Sequence, residues 1–168
     1  MYVELHSRSA FSFLEGAALP EELVEACAAA GMPAMALLDR DGVYGAPRFH
    51  LAAKKAGVRA HIGSEVTMQN AKCKIKNSNP VRLPLLVATR EGYQNLCRLI
   101  ARMKLRVPKH EECAATAQEL AGHAAGLLCL TGGDEGPLAA ALERGGLEAG
   151  RQCLLELEEI FGRGNLYV

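Results

Sequence analysis

The chain of 168 residues predicts an α/β fold built on a mainly parallel sheet or a barrel. Short apolar stretches alternate with helical patterns in the order β-α-β-α-β-β-α-β-α-β, and helical crossovers join parallel strands. Residues 34–38 form a continuous apolar run, as expected of a strand buried on both faces. We therefore expect helices to cover a sheet whose central strands are buried.

The predicted strands are short, and the last one is incomplete. Residues 2–6 alternate in polarity, which is typical of a strand with one buried face. The chain stops on the first residues of its final strand, and this predicts the N-terminal portion of a longer protein. The predicted strands are residues 2–6, 34–38, 58–66, 83–88, 127–131 and 166–168.

Start and stop signals bound the predicted helices. Pro20 and the two acids after it open the first helix, and Gly31 ends it. Gly57 stops the second, and Thr89 caps the third. Thr116 and the glutamate three residues later suggest a capping box on a short helix. The other predicted helices are residues 47–56, 137–144 and 147–161.

Composition excludes several classes of protein. With 49% hydrophobic and 23% charged residues, the chain can bury a core and is not disordered by composition. Nineteen basic and nineteen acidic side chains give zero formal net charge, which excludes a uniformly basic nucleic-acid binder. Aromatics make up only 5%, which weighs against a base-stacking platform. The sequence shows neither a signal peptide nor a membrane span, so we expect a cytoplasmic protein without a membrane partner.

Charge is unevenly distributed along the chain. Residues 54–109 hold thirteen basic and two acidic side chains, a net charge of +11, and the remainder carries −11. A concentrated basic stretch suggests a nearby polyanion, either nucleic acid or phosphate groups. The alternative is that these side chains are solvated and pair with the acidic half. Within the predicted loop 68–80, Lys72, Lys74 and Lys76 alternate and would form one basic face, near DNA, near a neighbouring domain or in solvent.

The six cysteines are spread almost evenly, and no pair has the C-x-x-C spacing. This weighs against a zinc finger or a thioredoxin-like motif. In the absence of a secretion signal, we expect reduced thiols.

Acidic, basic and imidazole groups follow the first three predicted strands. In parallel α/β folds the active site lies at the carboxyl ends of the strands. Acids and imidazoles that converge there suit a metal or phosphate site, although a single one is more often a structural hydrogen-bonding group. The residues at these ends are His6, Arg8 and Glu15 after the first strand, Asp39 and Arg40 after the second, and Glu65 on the third.

Three ordered motifs resemble those of the polymerase-and-histidinol-phosphatase (PHP) domain. They are residues 6–16 (HSRSAFSFLEG), 38–45 (LDRDGVYG) and 62–65 (IGSE), with residues 91–100 and 130–138 as further support. The resemblance covers essentially the whole chain. It is strongest to the PHP domain at the N-terminus of bacterial C-family DNA polymerases, in the error-prone branch related to the DNA polymerase III alpha subunit. It implies that residues 1–168 are the N-terminal portion of a PHP domain, with the remaining barrel and the polymerase domains absent.

The resemblance implies a distorted β/α barrel with up to three metal ions. The family's ligands come from a His-x-His pair, an Asp before Gly, an Asp-His pair and a Glu, with further ligands later in the barrel. An active site of this kind would use Zn, Mn or Mg. The positions that match in this chain are His6 and Arg8, Glu15, Asp39 and Arg40, and Glu65, and the later ligands would lie beyond Val168.

Two of the matched positions cannot bind a cation. A guanidinium donates hydrogen bonds only, so Arg8 and Arg40 place fixed positive charges where the family has metal ligands. We expect them to neutralise Glu15, Asp39 and Glu65 in a bidentate network. His61 shares a face with Glu65, but four strand residues separate them by roughly 13 Å, too far to share one ion.

The sequence therefore predicts the N-terminal PHP domain of an error-prone DNA polymerase, active in DNA replication and translesion synthesis. It would have a degenerate metal site, no cofactor, no catalytic residue of its own and a structural role. Its partners would be the remaining polymerase domains and, through the parent protein, DNA. One alternative is a metal-dependent phosphoesterase, either a 3′-5′ exonuclease or an enzyme like histidinol phosphatase. Another is an anion-binding or protein-binding domain that uses Arg8 and Arg40.

Overall fold

The computed structural model describes residues 2–69, 81–108 and 113–168. Its strands are β1 (Glu4–Ser7), β2 (Ala34–Arg40), β3 (Arg59–Met68), β4 (Val81–Val87), β5 (Leu127–Leu130) and β6 (Leu166–Tyr167). Its α-helices are α1 (Pro20–Ala29), α2 (Ala46–Ala56), α3 (Arg90–Arg106), α4 (Ala117–Ala121) and α5 (Pro137–Phe161), and a 3₁₀ turn covers Arg163–Asn165. This order confirms the predicted α/β class. The chain divides into two compact units, Met1–Glu65 and Val66–Val168.

The first unit has the predicted β-α-β-α-β order, with β1, β2 and β3 side by side and parallel. From Ala34 opposite Arg59 to Arg40 opposite Glu65, the pairing of β2 with β3 is continuous. Between Glu4 and Ser7 the register of β1 on β2 shifts. Because the three strands are parallel, their carboxyl ends lie at the same edge of the sheet.

The core of the first unit lies between its two helices and the sheet. Helix α1 begins with Pro20 and acidic residues in its first turn, as predicted, and Gly57 ends α2 in the left-handed conformation. Phe49 of α2 is completely buried. The buried cluster comprises Val24, Cys27, Met35, Leu37, Phe49, Ala53 and Val58.

Among its described residues, the second unit contains an antiparallel pair in the sheet that the sequence predicted to be mainly parallel. Strand β5 is antiparallel to β4, and β6 is parallel to β5. The amides of Ala88 and Thr89 donate to the carbonyl of Gly126, at 3.0 and 3.3 Å. Since Gly126 immediately precedes β5, that strand begins where β4 ends and runs back along it.

The helices of the second unit begin and bend where the sequence predicts. Thr89 Oγ1 accepts the amide of Gly92 at 3.1 Å and caps α3. Thr116 and Glu119 form the predicted capping box on α4. In α5, Gly145 and Gly146 have non-helical dihedrals, so this element consists of the two predicted helical segments on either side of a kink.

The alternating Lys72, Lys74 and Lys76 lie outside the described residues, as does most of the predicted loop 68–80. Over residues 2–69, 81–108 and 113–168, none of the helices has the length and apolar character needed to cross a membrane.

Candidate functional site

The six polar residues singled out by sequence all lie in the first unit. They are brought together at the carboxyl edge of β1–β3, because the three strands are parallel and end at this edge. Arg40 and Glu65 are direct neighbours across β2 and β3. His6 lies in β1, and the loop that follows β1 carries Arg8 and Glu15.

Glu65 is the buried centre of this group, with only 1% of its side chain exposed. Its Oε1 is contacted by His6 Nε2 and accepts from Arg8 Nη2 at 2.9 Å. Arg8 Nε lies 2.5 Å from the other oxygen, Oε2. Arg8 therefore lies against both oxygens of one carboxylate: it donates a hydrogen bond to Oε1 and forms an ion pair with Oε2, which accepts no hydrogen bond among the described residues. We call this contact with both oxygens the fork.

These contacts decide the ionisation of Glu65. Burial alone would raise the pKa of the carboxyl group because it disfavours the charged form. The hydrogen bonds and charges of His6 and Arg8 outweigh burial, and the pKa of Glu65 is lowered below its ordinary value of 4.5. Glu65 is therefore an ionised carboxylate at neutral pH.

Glu15 extends the arrangement to the second arginine. Its Oε1 accepts from Arg40 Nη1 at 2.5 Å, and its Oε2 lies 3.6 Å from Arg8 Nη1. Acids and bases thus alternate along a continuous series. We call this series the ion-pair network, and it consists of His6, Glu65, Arg8, Glu15 and Arg40.

Asp39 is bound by serines, whereas the sequence predicted that the arginines would neutralise it. Oδ1 accepts from the amide of Ser9 at 2.8 Å and from the hydroxyl of Ser12 at 2.8 Å. The Ser9 hydroxyl lies 2.9 Å from both carboxylate oxygens. Asp39, Ser9 and Ser12 are all at most 1% exposed. The loop after β1 covers Asp39, and its serine hydroxyl and amide groups fill the positions around this carboxylate that the sequence assigned to an arginine.

Sequence reasoning missed Ser9 and Ser12. The sequence did carry a signal for them. Two serines, three residues apart, follow the first strand, and the neighbouring second strand carries Asp39 near its carboxyl end. Ser12 Oγ also accepts the amide of Arg40 at 3.1 Å, so this serine joins the loop to the backbone of β2.

Two other histidines considered from sequence lie apart from the network. His61 is half-buried in β3, opposite Ala36 and four residues before Glu65. His50 is exposed on α2. Neither position supplies an imidazole to the ion-pair network.

The donor atoms at this site do not fit a metal ion. Oxygens and nitrogens that would face an ion are instead contacted by guanidinium groups or by each other, as His6 and Glu65 are. The two guanidiniums have no lone pair to offer. In the part of the chain that the structure describes, no three His, Cys, Asp or Glu side chains form a group able to hold a metal.

Comparison with known proteins places this chain in a family. Residues 4–168 match the PHP domain, and the chain belongs to the PHP domain family. It is 40% identical over 167 residues to the error-prone DNA polymerase of Mycobacterium bovis, and the matched region covers 95% of this chain and 15% of that protein. It is 39% identical over 150 residues to the error-prone DNA polymerase of Anaeromyxobacter sp. strain K, and this match covers 84% of this chain and 13% of that polymerase. The chain therefore spans about 15% of the length of these relatives.

Among solved structures, the chain is similar to an amidohydrolase from Chromobacterium violaceum. The TM-score is 0.48 at 20% identity, over 86% of this chain and 39% of that one.

Proposed function

We propose that this chain is the N-terminal portion of the PHP domain of an error-prone DNA polymerase, and that its PHP site works as a metal-free structural clamp. The identity with error-prone polymerases supports the first part. The observation that carries the second part is the fork of Arg8 on buried Glu65, at a position where the resemblance to the family implies an imidazole ligand. The remaining barrel and the polymerase domains belong to the parent protein.

The clamp replaces the charge of a cation with permanent charges of the protein. Carboxylates gathered at one sheet edge repel each other unless a positive charge lies among them. Arg8 and Arg40 supply that charge at every physiological pH, because a guanidinium does not lose its proton. The network joins the loop after β1 to the ends of β2 and β3. The edge is thereby held together by the chain's own side chains.

Chemistry on DNA belongs to the parent protein in this proposal. Nucleotidyl transfer, DNA binding in replication and translesion synthesis, and a cytoplasmic location follow from the kind of polymerase that the relatives are named for. The described residues contribute a folded support to it. We assign no catalytic role to His6 or Glu65, because His6 Nε2 and Glu65 Oε1 contact each other and the Arg8 guanidinium lies against both oxygens of Glu65.

The test measures two activities of the full-length polymerase in one reaction. A labelled primer with a mismatched 3′ end reports extension and 3′ trimming together, with Mg²⁺, Mn²⁺ or Zn²⁺ supplied in turn. We expect extension, and we expect any trimming to be unchanged in His6→Ala and Glu65→Gln. Glu21 forms an exposed ion pair with Arg48, so Glu21→Gln is the control for the loss of a surface charge.

Loss of metal-dependent trimming in both His6→Ala and Glu65→Gln, with primer extension retained in both variants and Glu21→Gln unaffected, would contradict the proposal. That result would favour the metal-dependent phosphoesterase. If the wild type binds phosphate or sulfate and the Arg8→Ala and Arg40→Ala variants do not, the result would instead favour the anion-binding alternative.

A further inference from the structure

The loop between β1 and α1 exposes two large apolar side chains beside the ion-pair network. The amide of Ala10 donates to the carbonyl of Ala18 at 2.8 Å and closes the loop at its base. At its tip, Phe13 is 73% exposed and Leu14 is 89% exposed. We call these two residues the apolar tip. Their neighbour Ser12 is 1% exposed, so the backbone under the tip is anchored in the protein.

Several bonds fix that backbone. The amides of Glu15 and Gly16 both donate to the carbonyl of Ser12 at 2.9 Å, and the Ser12 hydroxyl donates to Asp39. A Cβ on Gly16 would lie 2.0 Å from the carbonyl oxygen of Ser9, so only glycine fits there. Glu15 is held by Arg40. The loop therefore presents its tip in one conformation, which lowers the entropy that a partner must remove on binding.

Leu14 has a left-handed backbone, with a φ of 65°. A leucine in this region brings its Cβ too close to the following carbonyl oxygen, a steric cost that a glycine would avoid. The conformation persists because the contacts on either side of Leu14 over-determine it. A bulky apolar residue is thus held outward at an energetic cost in the folded domain, with little burial in return.

The charges around the tip favour a protein partner over nucleic acid. Arg8 and Arg40 pair with Glu65 and Glu15 in the network. The next arginine, Arg48, forks onto Glu21 at 2.7 and 2.9 Å and lies 5.8 Å from the ring of Phe11. These cations are matched by carboxylates, so the tip offers apolar surface in a balanced field rather than a path for phosphates.

We infer that Phe13 and Leu14 dock into an apolar pocket on the remainder of the parent polypeptide. The inference rests on the proposed function, because the relatives have most of their length outside the region matched here. A few side chains buried in pockets of the partner carry most of the free energy of a protein interface, and an exposed aromatic ring on a fixed loop can serve as such an anchor. The clamp then has a second consequence, since it positions the docking loop.

A photo-crosslinker in the full-length polymerase tests the docking directly. Phe13→p-benzoylphenylalanine places the reactive group at the tip, and the same substitution at Leu51, which is 60% exposed on α2, is the matched control. After irradiation, we expect Phe13 to crosslink within the same chain to residues beyond 168, with or without DNA. Leu51 should give no such product. Crosslinks only to DNA, only between two copies, or to no site at all would overturn the inference.

A second variant separates docking from local stability. Leu14→Gly removes the backbone strain, so a purely local role predicts unchanged or higher thermal stability of the polymerase. Docking predicts a several-fold lower crosslink yield at position 13 and a lower melting temperature. An unchanged yield would overturn the inference. A polymerase that extends primers and retains no metal, yet gives no crosslink, would overturn the docking and leave the proposed function standing.

Discussion

At the scale of single residues, Glu65 is an ionised carboxylate in a buried position. It is 1% exposed, and only the contacts from Arg8 and His6 compensate for the loss of water around its carboxylate. Both partners are themselves partly exposed, at 24% and 33% of their side chains. The ion pair of Arg8 and Glu65 thus lies at the boundary between core and solvent, with the carboxylate of Glu65 on the buried side.

Removing the charge of Glu65 should destabilise the domain strongly. Glu65→Gln leaves the Arg8 guanidinium opposite a neutral amide that cannot reproduce the fork. We expect a loss of about 3 kcal/mol in the free energy of unfolding, since breaking a buried pair strands the other charge. Urea denaturation of the wild type and the variant measures this directly.

The control is the exposed ion pair of Glu21 and Arg48, which is also a bidentate fork. Glu21→Gln should lower the free energy of unfolding much less than Glu65→Gln does, because solvent screens surface pairs. If both variants lose the same free energy of unfolding, burial of the Glu65 ion pair does not increase its contribution to stability.

The stabilisation from Glu65 should depend on pH in a defined direction. Its pKa is lowered in the folded protein from an ordinary value of 4.5, because His6 and Arg8 favour the carboxylate despite burial. A lowered pKa means that this stabilisation is complete above 4.5 and is lost as the pH falls below it, toward the folded value. The difference in unfolding free energy between wild type and Glu65→Gln should therefore shrink between about pH 5 and about pH 3. A difference that stays constant over this range would contradict the assigned ionisation.

At the scale of helices and strands, the kink of α5 depends on one glycine. Gly146 has a φ of 62° and a ψ of −156°, and no atom lies within 4 Å of the place where its Cβ would be. Gly146→Ala should cost about 1–3 kcal/mol through backbone strain alone. Gly164→Ala, at a glycine with an ordinary φ and equally open space, is the matched control and should change stability by less than about 0.5 kcal/mol. Equal melting temperatures for the two variants would refute the strain argument.

Local signals explain which elements were predictable from the sequence. The glycine pair in α5, the cap at Thr89 and the capping box at Thr116 all act within a few residues, so they can be recognised without the fold. The direction of β5 was not predictable. It depends on Gly126 meeting the end of β4, a contact between residues far apart in the chain.

The same distinction applies to the site. Parallel strands carry His6, Asp39 and Glu65 to one edge, and this follows from the order of the elements. Which acid each arginine meets depends on the path of the loop after β1. That path places Ser9 and Ser12 on Asp39, so the arginines meet Glu65 and Glu15 instead.

At the scale of the whole molecule, the chain is a member of the PHP domain family in which the protein's own charges hold one edge of the sheet together. Metal ligands and ion pairs are alternative ways to hold carboxylates together, and the two arginines favour the second. The same loop that closes this edge presents the apolar tip. The domain would therefore serve its parent as a folded support with a fixed point of contact.

Elemental analysis of the full-length polymerase tests the central claim most directly. The protein is measured as purified, and again after incubation with excess Mn²⁺ and Zn²⁺ followed by gel filtration, beside the His6→Ala and Glu65→Ala variants. The account predicts no retained metal that depends on His6 or Glu65. Near-stoichiometric metal in the wild type that falls in both variants would contradict it.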